Sequence, residues 1–482
     1  MDQGVALSIL ELDLWQWASL LQHELLLFAG VFFLIGALDD LAVDAVWVWL
    51  KASGQAVTQR RSRRSLQNRS LHGHAAVLIP AWQESAVIGA TIRHMLDSWP
   101  QPNLRLYVGC YRNDPATLAA ATAAARGDVR LRLVIHDRDG PSTKADCLNR
   151  LYAAMTTDEA RAGHRFASVV FHDAEDMVDA AALGLLDETI ADGADFVQLP
   201  VEPLVQQRGG WIARHIGSHY CEEFAEAHGK AMVVRDALSA SLPGAGVGCA
   251  ASRGALDELA ERRAADGFGG MPFASDSLTE DYELGLAIGA AGGRCRFVRV
   301  RGDDGTLVAT RAFFPDRFES VVRQKCRWVL GIALQGWDRV GWSGGMIEHW
   351  MRARDRRGPL TALVLLAGYA LVVLTGLMGI AIAAGLTRPV PLTPLLEALL
   401  IANVAAFVWR VGMRFAFTAR EYGWREGVLA ILRLPLANVI AIIAGRRAVL
   451  AYAATLGGRA AVWDKTEHEV HPVQLGLVGN AR

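Results

Sequence analysis

Three carboxylates stand within four residues at Asp173-Ala174-Glu175-Asp176, closing the strand-like run Ala167 to Asp173. Gathering that much negative charge is costly unless a cation neutralises it. Carboxylate, water and phosphate oxygens together suit Mg2+ or Mn2+. A divalent ion bridging a diphosphate would stabilise the charge of that leaving group. An acidic cap on a helix N-terminus is the competing reading of the same triplet. A second acidic pair, Glu280-Asp281, opens the helical pattern Tyr282 to Ala290. There Asp281 could serve as general base toward an acceptor hydroxyl, or as a helix cap. Lys144 enters a helix after the turn Gly140 to Thr143 and could contact a phosphate, a solvated surface lysine being the alternative. Gln324-Lys325-Cys326-Arg327-Trp328 lies on an amphipathic pattern from about Arg317 to Gly336. Arg327 could grip a phosphate with two N–H groups and Trp328 could stack on a sugar or base. The same stretch also reads as a plain interfacial helix, with Trp328, Trp337 and Trp342 at the membrane boundary.

These positions need a scaffold. Strand patterns at His74 to Pro80, Leu104 to Cys110, Leu131 to His136, Ala167 to Asp173 and Phe196 to Pro200 alternate with helical patterns. The helical patterns are Ser85 to Trp99, Ala116 to Arg126 and Lys144 to Met155. That alternation predicts an α/β fold with a mostly parallel sheet. Ligands of such sheets sit at the carboxyl ends of the strands, where Glu84, Asn113, Asp114 and the Asp173 cluster fall. Neither GxGxxG nor GxxxxGK[ST] follows a strand, which argues against a dinucleotide oxidoreductase or a P-loop ATPase.

The chain has 482 residues, 52% hydrophobic, with 49 basic and 50 acidic side chains for a formal charge of −1. Its 21% charged residues exclude a disordered chain, and the near-zero charge argues against a nucleic-acid partner. Six scattered cysteines without CxxC spacing predict reduced thiols rather than a disulfide framework or zinc site. The apolar residues concentrate in blocks. Residues 1–50 hold no Lys or Arg and contain the run Leu25 to Leu38, predicting a membrane helix near residues 18 to 38 rather than a signal peptide. Lys51 to Ser70 is basic with no acid, which places that side in the cytoplasm. Leu360 to Leu386 is a run of 27 uncharged residues, longer than a bilayer requires. Leu395 to Trp409 is a second span, and Gly427 to Gly445, interrupted by Arg433 and Pro435, reads as an interfacial or re-entrant helix.

In order and spacing the motifs resemble those of membrane-bound family 2 glycosyltransferases with a GT-A fold, the group that includes cellulose, hyaluronan and poly-N-acetylglucosamine synthases. Ile79 to Glu84 (IPAWQE) is similar to the first-strand VPxYNE motif, and Lys144 to Asn149 to the GKAxALN segment. Asp173-Ala174-Glu175 stands where DxD belongs, which leaves Glu175 and Asp176 as rival metal ligands. Thr279-Glu280-Asp281 is similar to TED and Gln324 to Trp328 to QxxRW. The segments Leu242 to Gly248 and Trp463 to His468 look like the inner-membrane subgroup typified by phage-adsorption B proteins. The resemblance runs over about residues 71 to 472. Members of the subgroup can carry a further cyclic-di-GMP-binding domain; nothing in this sequence carries an expectation of one.

The resemblance implies Asp281 as catalytic base assisted by Glu280, and Asp173 with Glu175 or Asp176 on Mg2+ or Mn2+. Pro80, Glu84, Asp114, Lys144, Asp173, Gln324, Arg327 and Trp328 would hold the nucleotide-sugar. The implied organisation is a transmembrane segment at 1–50, a basic linker at 51–70 and a cytoplasmic GT-A domain at 71–316. An interfacial region at 317–358, membrane helices at 359–456 and a cytoplasmic tail at 457–482 follow. The implied protein is a multi-pass enzyme of the bacterial inner membrane. It would move a sugar from a UDP-linked donor to a glycan or lipid-linked acceptor, among membrane lipid and beside an outer-membrane secretion partner. A non-catalytic scaffold or receptor of a secretion or phage-adsorption complex is the reading from another class.

Overall fold

The computed structural model describes residues 12–458 and 469–477; the Trp463 to His468 segment lies outside them. The chain opens with α1 (Leu14–Ala52), a helix of 39 residues and hence about 58 Å long. A hydrocarbon core of about 30 Å takes up roughly half of that length, so the helix exceeds the expected span at both ends.

An α/β domain follows, built on a seven-stranded sheet. Its strands are β1 (His74–Pro80), β2 (Leu104–Tyr111), β3 (Leu131–His136), β4 (Phe166–Phe171), β5 (Phe196–Gln198), β6 (Cys249–Ser252) and β7 (Cys295–Phe297). Their spatial order is β3-β2-β1-β4-β6-β5-β7, and every pairing is parallel except those of β6. Central β1 reads HAAVLIP, buried from Ala75 to Ile79. A strand covered by helices on both faces needs such a continuous apolar run. The register aligns Val77 with Leu106 on one side and Val170 on the other. β4 ends two residues earlier than its sequence pattern suggests, so Asp173 to Asp176 form a loop beyond the strand. β6 (CAAS) and the three-residue β7 carry too few large or β-branched residues to announce themselves.

Helices α2 (Ile88–Ser98), α3 (Pro115–Ala125) and α4 (Lys144–Ala162) pack on the sheet, α5 (His219–Glu226) lies beside it against the segment Val201–Pro203, and α6 (Glu280–Ala290) returns to it. The predicted amphipathic helix is α7 (Phe318–Trp328), which widens into a π-helical stretch at Val329–Gln335. Next come α8 (Met346–Arg356), α9 (Gly358–Ala383), α10 (Pro394–Tyr422), α11 (Trp424–Leu432) and α12 (Leu434–Leu456). All six cysteines are free thiols, as the sequence predicts.

Among the described residues four helices, α1, α9, α10 and α12, are long and apolar enough to cross a membrane. The stretch 427–445 is divided at Arg433, where Pro435 starts α12 and the buried guanidinium pairs with Glu222 and Glu426. Along its length α12 meets the α/β domain. Ile440 packs with Tyr220 and Val321, and Ala448 with Leu278 and Leu330. Arg447 pairs with Glu319 at 2.5 Å, and Tyr452 donates to Asp338 at 2.8 Å. These contacts tie α12 to the α/β domain from residue 440 to 452, while Gly445 also packs against Ala362 of α9.

Charges bolt α1 to the rest. Asp39 and Asp40 meet Arg354 and Arg357 from the end of α8. Deeper in, Asp44 (2% exposed side chain) lies 2.5 Å from Lys230 (4%), which also reaches Glu226 at 2.7 Å. Arg410 of α10 closes the set on Glu226 and Asp40. Removing one member of a buried ionic set strands its partners at a cost of about 3–5 kcal/mol. Lys230→Met should therefore lower the unfolding temperature of the detergent-solubilised chain sharply, and Asp44→Asn added to it should restore part of the loss.

Candidate active site

The carboxyl ends of β1 and β4 and the first turns of α4 and α6 open onto one cleft, with α7 along its far wall. It encloses about 1240 Å³ of open space. Of the residues expected there, Pro80, Glu84, Lys144, Asp173, Glu175, Asp176, Glu280, Asp281, Gln324, Arg327 and Trp328 all line it. Five segments spread between residues 80 and 328 thus share one chamber.

Lys144 sits at the centre. Thr143 caps α4 by accepting from the Asp146 amide at 3.1 Å, which places Lys144 at the first helical position. Its ammonium lies 2.6 Å from Asp173 Oδ1 and 3.6 Å from Glu280 Oε1, and donates to the Gly246 carbonyl at 3.4 Å. Burial alone would lower its pKa, but Asp173, Glu280 and Asp281 overcome that and hold it well above the usual lysine value. Burial raises Glu280 to about 7, with Lys144 opposing and Asp281 reinforcing the rise. Burial raises Asp281 as well, again against Lys144. A base poised above the ordinary carboxylate range suits proton abstraction from a hydroxyl near neutral pH.

The glycine-rich loop Leu242 to Gly248 presses on the first turn of α6. Gly246 has a φ of +78°, and a Cβ there would lie 2.5 Å from Asp281 Oδ2 and 3.1 Å from the Lys144 ammonium. Gly244 passes so close that a Cβ would lie 2.6 Å from the Asp281 carbonyl. Asp281 also accepts from the Tyr282 amide at 2.7 Å, so its carboxylate is held from both sides.

Within the acidic loop the three carboxylates separate. Asp176 turns inward, nearly fully buried, and its Oδ2 accepts from His172 at 2.7 Å and from the Asp173 amide at 2.9 Å. Its carboxylate thereby fastens the loop, and Asp173 and Glu175 are the less buried of the three acids that line the cleft. Among the described residues no group of three or more His, Cys, Asp and Glu is arranged to hold a metal. Two carboxylates completed by diphosphate oxygens and water are nonetheless what Mg2+ and its like take. The hard-oxygen donor set of Asp173 and Glu175 therefore fits such an ion bound together with a nucleotide.

Asp114 stands outside the residues that line the cleft. Its carboxylate accepts from the Gln83 amide at 2.6 Å and caps α3 through the Thr117 amide, which shapes the turn after β1. Gln324 accepts from the Tyr220 hydroxyl at 2.5 Å, so it anchors α7 to α5 at the edge of the cleft. The residues that sequence reasoning passed over are aromatic. Trp82 and Tyr111 stand edge to face at 5.1 Å on one wall, and Phe314 packs at 4.5 Å on Tyr220 on the other. The tryptophan inside IPAWQE and the Phe313-Phe314-Pro315 run before α7 were the available signals.

With this geometry in view, residues 72–331 match the model of the family described as glycosyltransferase like family 2. That is just over half of the chain. The chain belongs to this glycosyltransferase family. It is 31% identical over 473 residues to bacteriophage adsorption protein B of Escherichia coli (strain K12), covering 91% of this chain and 61% of that protein. Bacteriophage N4 adsorption protein B of Escherichia coli O157:H7 gives the same figures. The chain thus spans less than two thirds of the length of these relatives. Among solved structures it is similar to a mannosyltransferase of Pyrobaculum calidifontis in complex with GDP-Man and Mn2+. The identity there is 17% and the TM-score 0.49, covering 85% of this chain and 98% of that one. Glucosyl-3-phosphoglycerate synthase of Mycobacterium tuberculosis, in complex with Mn2+, UDP and phosphoglyceric acid, matches at 18% identity and TM-score 0.35. It covers 60% of this chain and 87% of the other. The mostly parallel sheet lies within the family 2 match at residues 72–331.

In this glycosyltransferase the placement of Asp281 depends on a loop with no side chain to spare. Gly246→Ala should displace the carboxylate by a fraction of an ångström to about 1 Å, and misplacement on that scale can cost about 100-fold in rate. Nucleoside diphosphate release should fall by that order while the unfolding temperature changes little.

Proposed function

We propose that the chain is a membrane-attached inverting glycosyltransferase that moves a sugar from a nucleotide diphosphate donor, UDP-linked, to a hydroxyl acceptor on a glycan or lipid carrier. The observation that carries this is the single ammonium of Lys144 lying between Asp173 and Glu280, because it puts the diphosphate-binding loop and the acid pair of α6 within one chamber. Asp281 accepts the proton of the acceptor hydroxyl as its oxygen attacks the anomeric carbon from the face opposite the diphosphate. The bond from that carbon to the diphosphate oxygen breaks, and the configuration inverts. Glu280 and Lys144 hold Asp281 in place and share the proton balance of the cleft. A Mg2+ or Mn2+ ion bound by Asp173 and Glu175 supplies charge neutralisation for the departing diphosphate. Arg327 adds positive charge from α7, and Trp328 offers a stacking face to the acceptor.

The apolar helices and the basic residues around them suit a bacterial inner membrane with the catalytic domain in the cytoplasm, and a product in exopolysaccharide or cell-envelope glycan. A hexosyl or N-acetylhexosaminyl donor and an outer-membrane secretion partner are the finer parts of this reading.

The test is a screen of the purified full chain against UDP-sugars and GDP-mannose with Mg2+ or Mn2+, reading nucleoside diphosphate release. Asp281→Asn should reduce release by about 10²–10⁴-fold, the usual contribution of a general base, while UDP binding in Mn2+ stays within about threefold. A variant that keeps full turnover would return the protein to the scaffold reading. Excess EDTA should weaken UDP binding by at least about tenfold, which corresponds to about 1.4 kcal/mol; unchanged affinity would sink the metal assignment.

A further inference from the structure

Beyond α12 the chain returns to the catalytic domain and docks behind the acidic loop. A single tight turn, Pro472–Leu475, is capped by His471, whose side chain is fully buried. Its Nδ1 accepts from the Val473 amide at 3.2 Å. That assigns the ring proton to Nε2, which donates to the carbonyl of Asp176 at 3.1 Å. Burial lowers the imidazole to about 4, with the Asp176 carbonyl opposing and His94 reinforcing. A neutral ring with one donor and one acceptor is therefore satisfied on both sides. Gln474 adds a second tie, donating to the Ala86 carbonyl at 3.1 Å in the segment that leads into α2.

The loop 173–176 carries the carboxylates assigned to the metal; Lys144 grips Asp173 from the cleft side, and Met177, just after the loop, exchanges backbone bonds with Arg311. Inside it, Asp176 bonds to His172 and to the Asp173 amide. Outside it, the Thr91 hydroxyl of α2 donates to the Ala174 carbonyl and His471 donates to the Asp176 carbonyl. Just downstream His94 meets the Val178 carbonyl at 2.9 Å, its ring 6.1 Å from that of His471. Two of these ties belong to α2, while the one at Asp176 comes from a residue almost 300 positions away.

We propose that His471 is a positioning residue for the reaction: its bond to the Asp176 carbonyl fixes the loop that presents Asp173 and Glu175, so the C-terminal strap sets the affinity for the metal-bound nucleotide diphosphate. This rests on the reading of Asp173 and Glu175 as the metal carboxylates. The strap acts from behind the cleft, touches neither substrate nor reacting atoms, and leaves Asp281 untouched. Its effect therefore belongs to donor binding and not to the chemical step.

The experiment compares three substitutions in the full detergent-solubilised chain. His471→Gln keeps a side-chain N–H at the reach of Nε2; His471→Asn keeps an acceptor for the Val473 amide but cannot reach Asp176; His471→Ala loses both. Calorimetric titration of UDP in Mn2+ should give a Kd raised about tenfold in the Asn and Ala variants and nearly wild-type in the Gln variant, the worth of one lost hydrogen bond. Donor KM should follow the Kd while kcat stays within about twofold. Amide exchange over residues 173–178, measured without nucleotide, should quicken in Asn and Ala but not in Gln. If Asn and Gln match wild-type in both affinity and exchange, the proposal is overturned. Where His471→Asn does not fold, Gln474→Ala loosens the same strap from the surface, and unchanged affinity and exchange in that variant overturn the proposal equally. Wild-type protein whose UDP affinity ignores Mn2+ would instead reject the metal reading, while the exchange data would still judge the tie from His471 to the loop.

Discussion

One ammonium among three carboxylates is the interaction on which the site depends. Lys144 touches Asp173 from one side of the cleft and Glu280 from the other, and its charge lowers the proton affinity of Glu280 and Asp281 against the burial that raises it. Without that cation, three acids in a low-dielectric chamber could not all ionise. With it, the loop after β4 and the first turn of α6 are drawn into a common geometry. The lysine itself is placed by backbone constraints: the cap at Thr143 starts its helix, and the carbonyl of Gly246 receives its third proton.

Much of this was legible before any coordinates. The strands β1 and β3 fall where the sequence pattern puts them: β1 is an unbroken apolar run because both of its faces are buried, and β3 is an edge strand with a partly exposed face, marked by Leu131, Leu133 and Ile135. The acids of α6, Lys144 and the Gln324 to Trp328 segment reach the cleft because helix starts and strand ends are marked by local chemistry. What stayed hidden depends on contacts between distant segments. Asp114 and Asp176 look like site acids in sequence, yet each has its carboxylate spent on backbone amides, Asp176 on a histidine as well. Nothing local distinguishes a carboxylate that faces a ligand from one that fastens a turn. The aromatic walls were missed for a related reason. Trp82 and Phe314 read as core residues until the fold leaves one face of each uncovered.

The membrane-proximal charges follow the same logic as the cleft. Acids on the lower half of α1 are answered one by one by Arg354, Arg357, Lys230 and Arg410, so the near-zero formal charge is the sum of local neutralisations. Helix α12 and the residue before it add Arg447 and Arg433, each with its own glutamate. Ionic ties of this kind are directional where apolar contacts are not, and they orient helices whose lipid-facing sides carry no positional information of their own.

Helix α1 runs unbroken through 39 residues, and its acid pairs are fixed points on a rigid rod. Each residue of that rod advances about 1.5 Å and turns about 100°. The rod therefore fixes how far, and at what angle, its apolar segment stands from the ion pairs. Inserting or deleting a single residue above Asp39 would move that segment along the axis and swing it out of phase with those pairs. The length of this segment is a quantity under constraint even where its apolar residues are interchangeable.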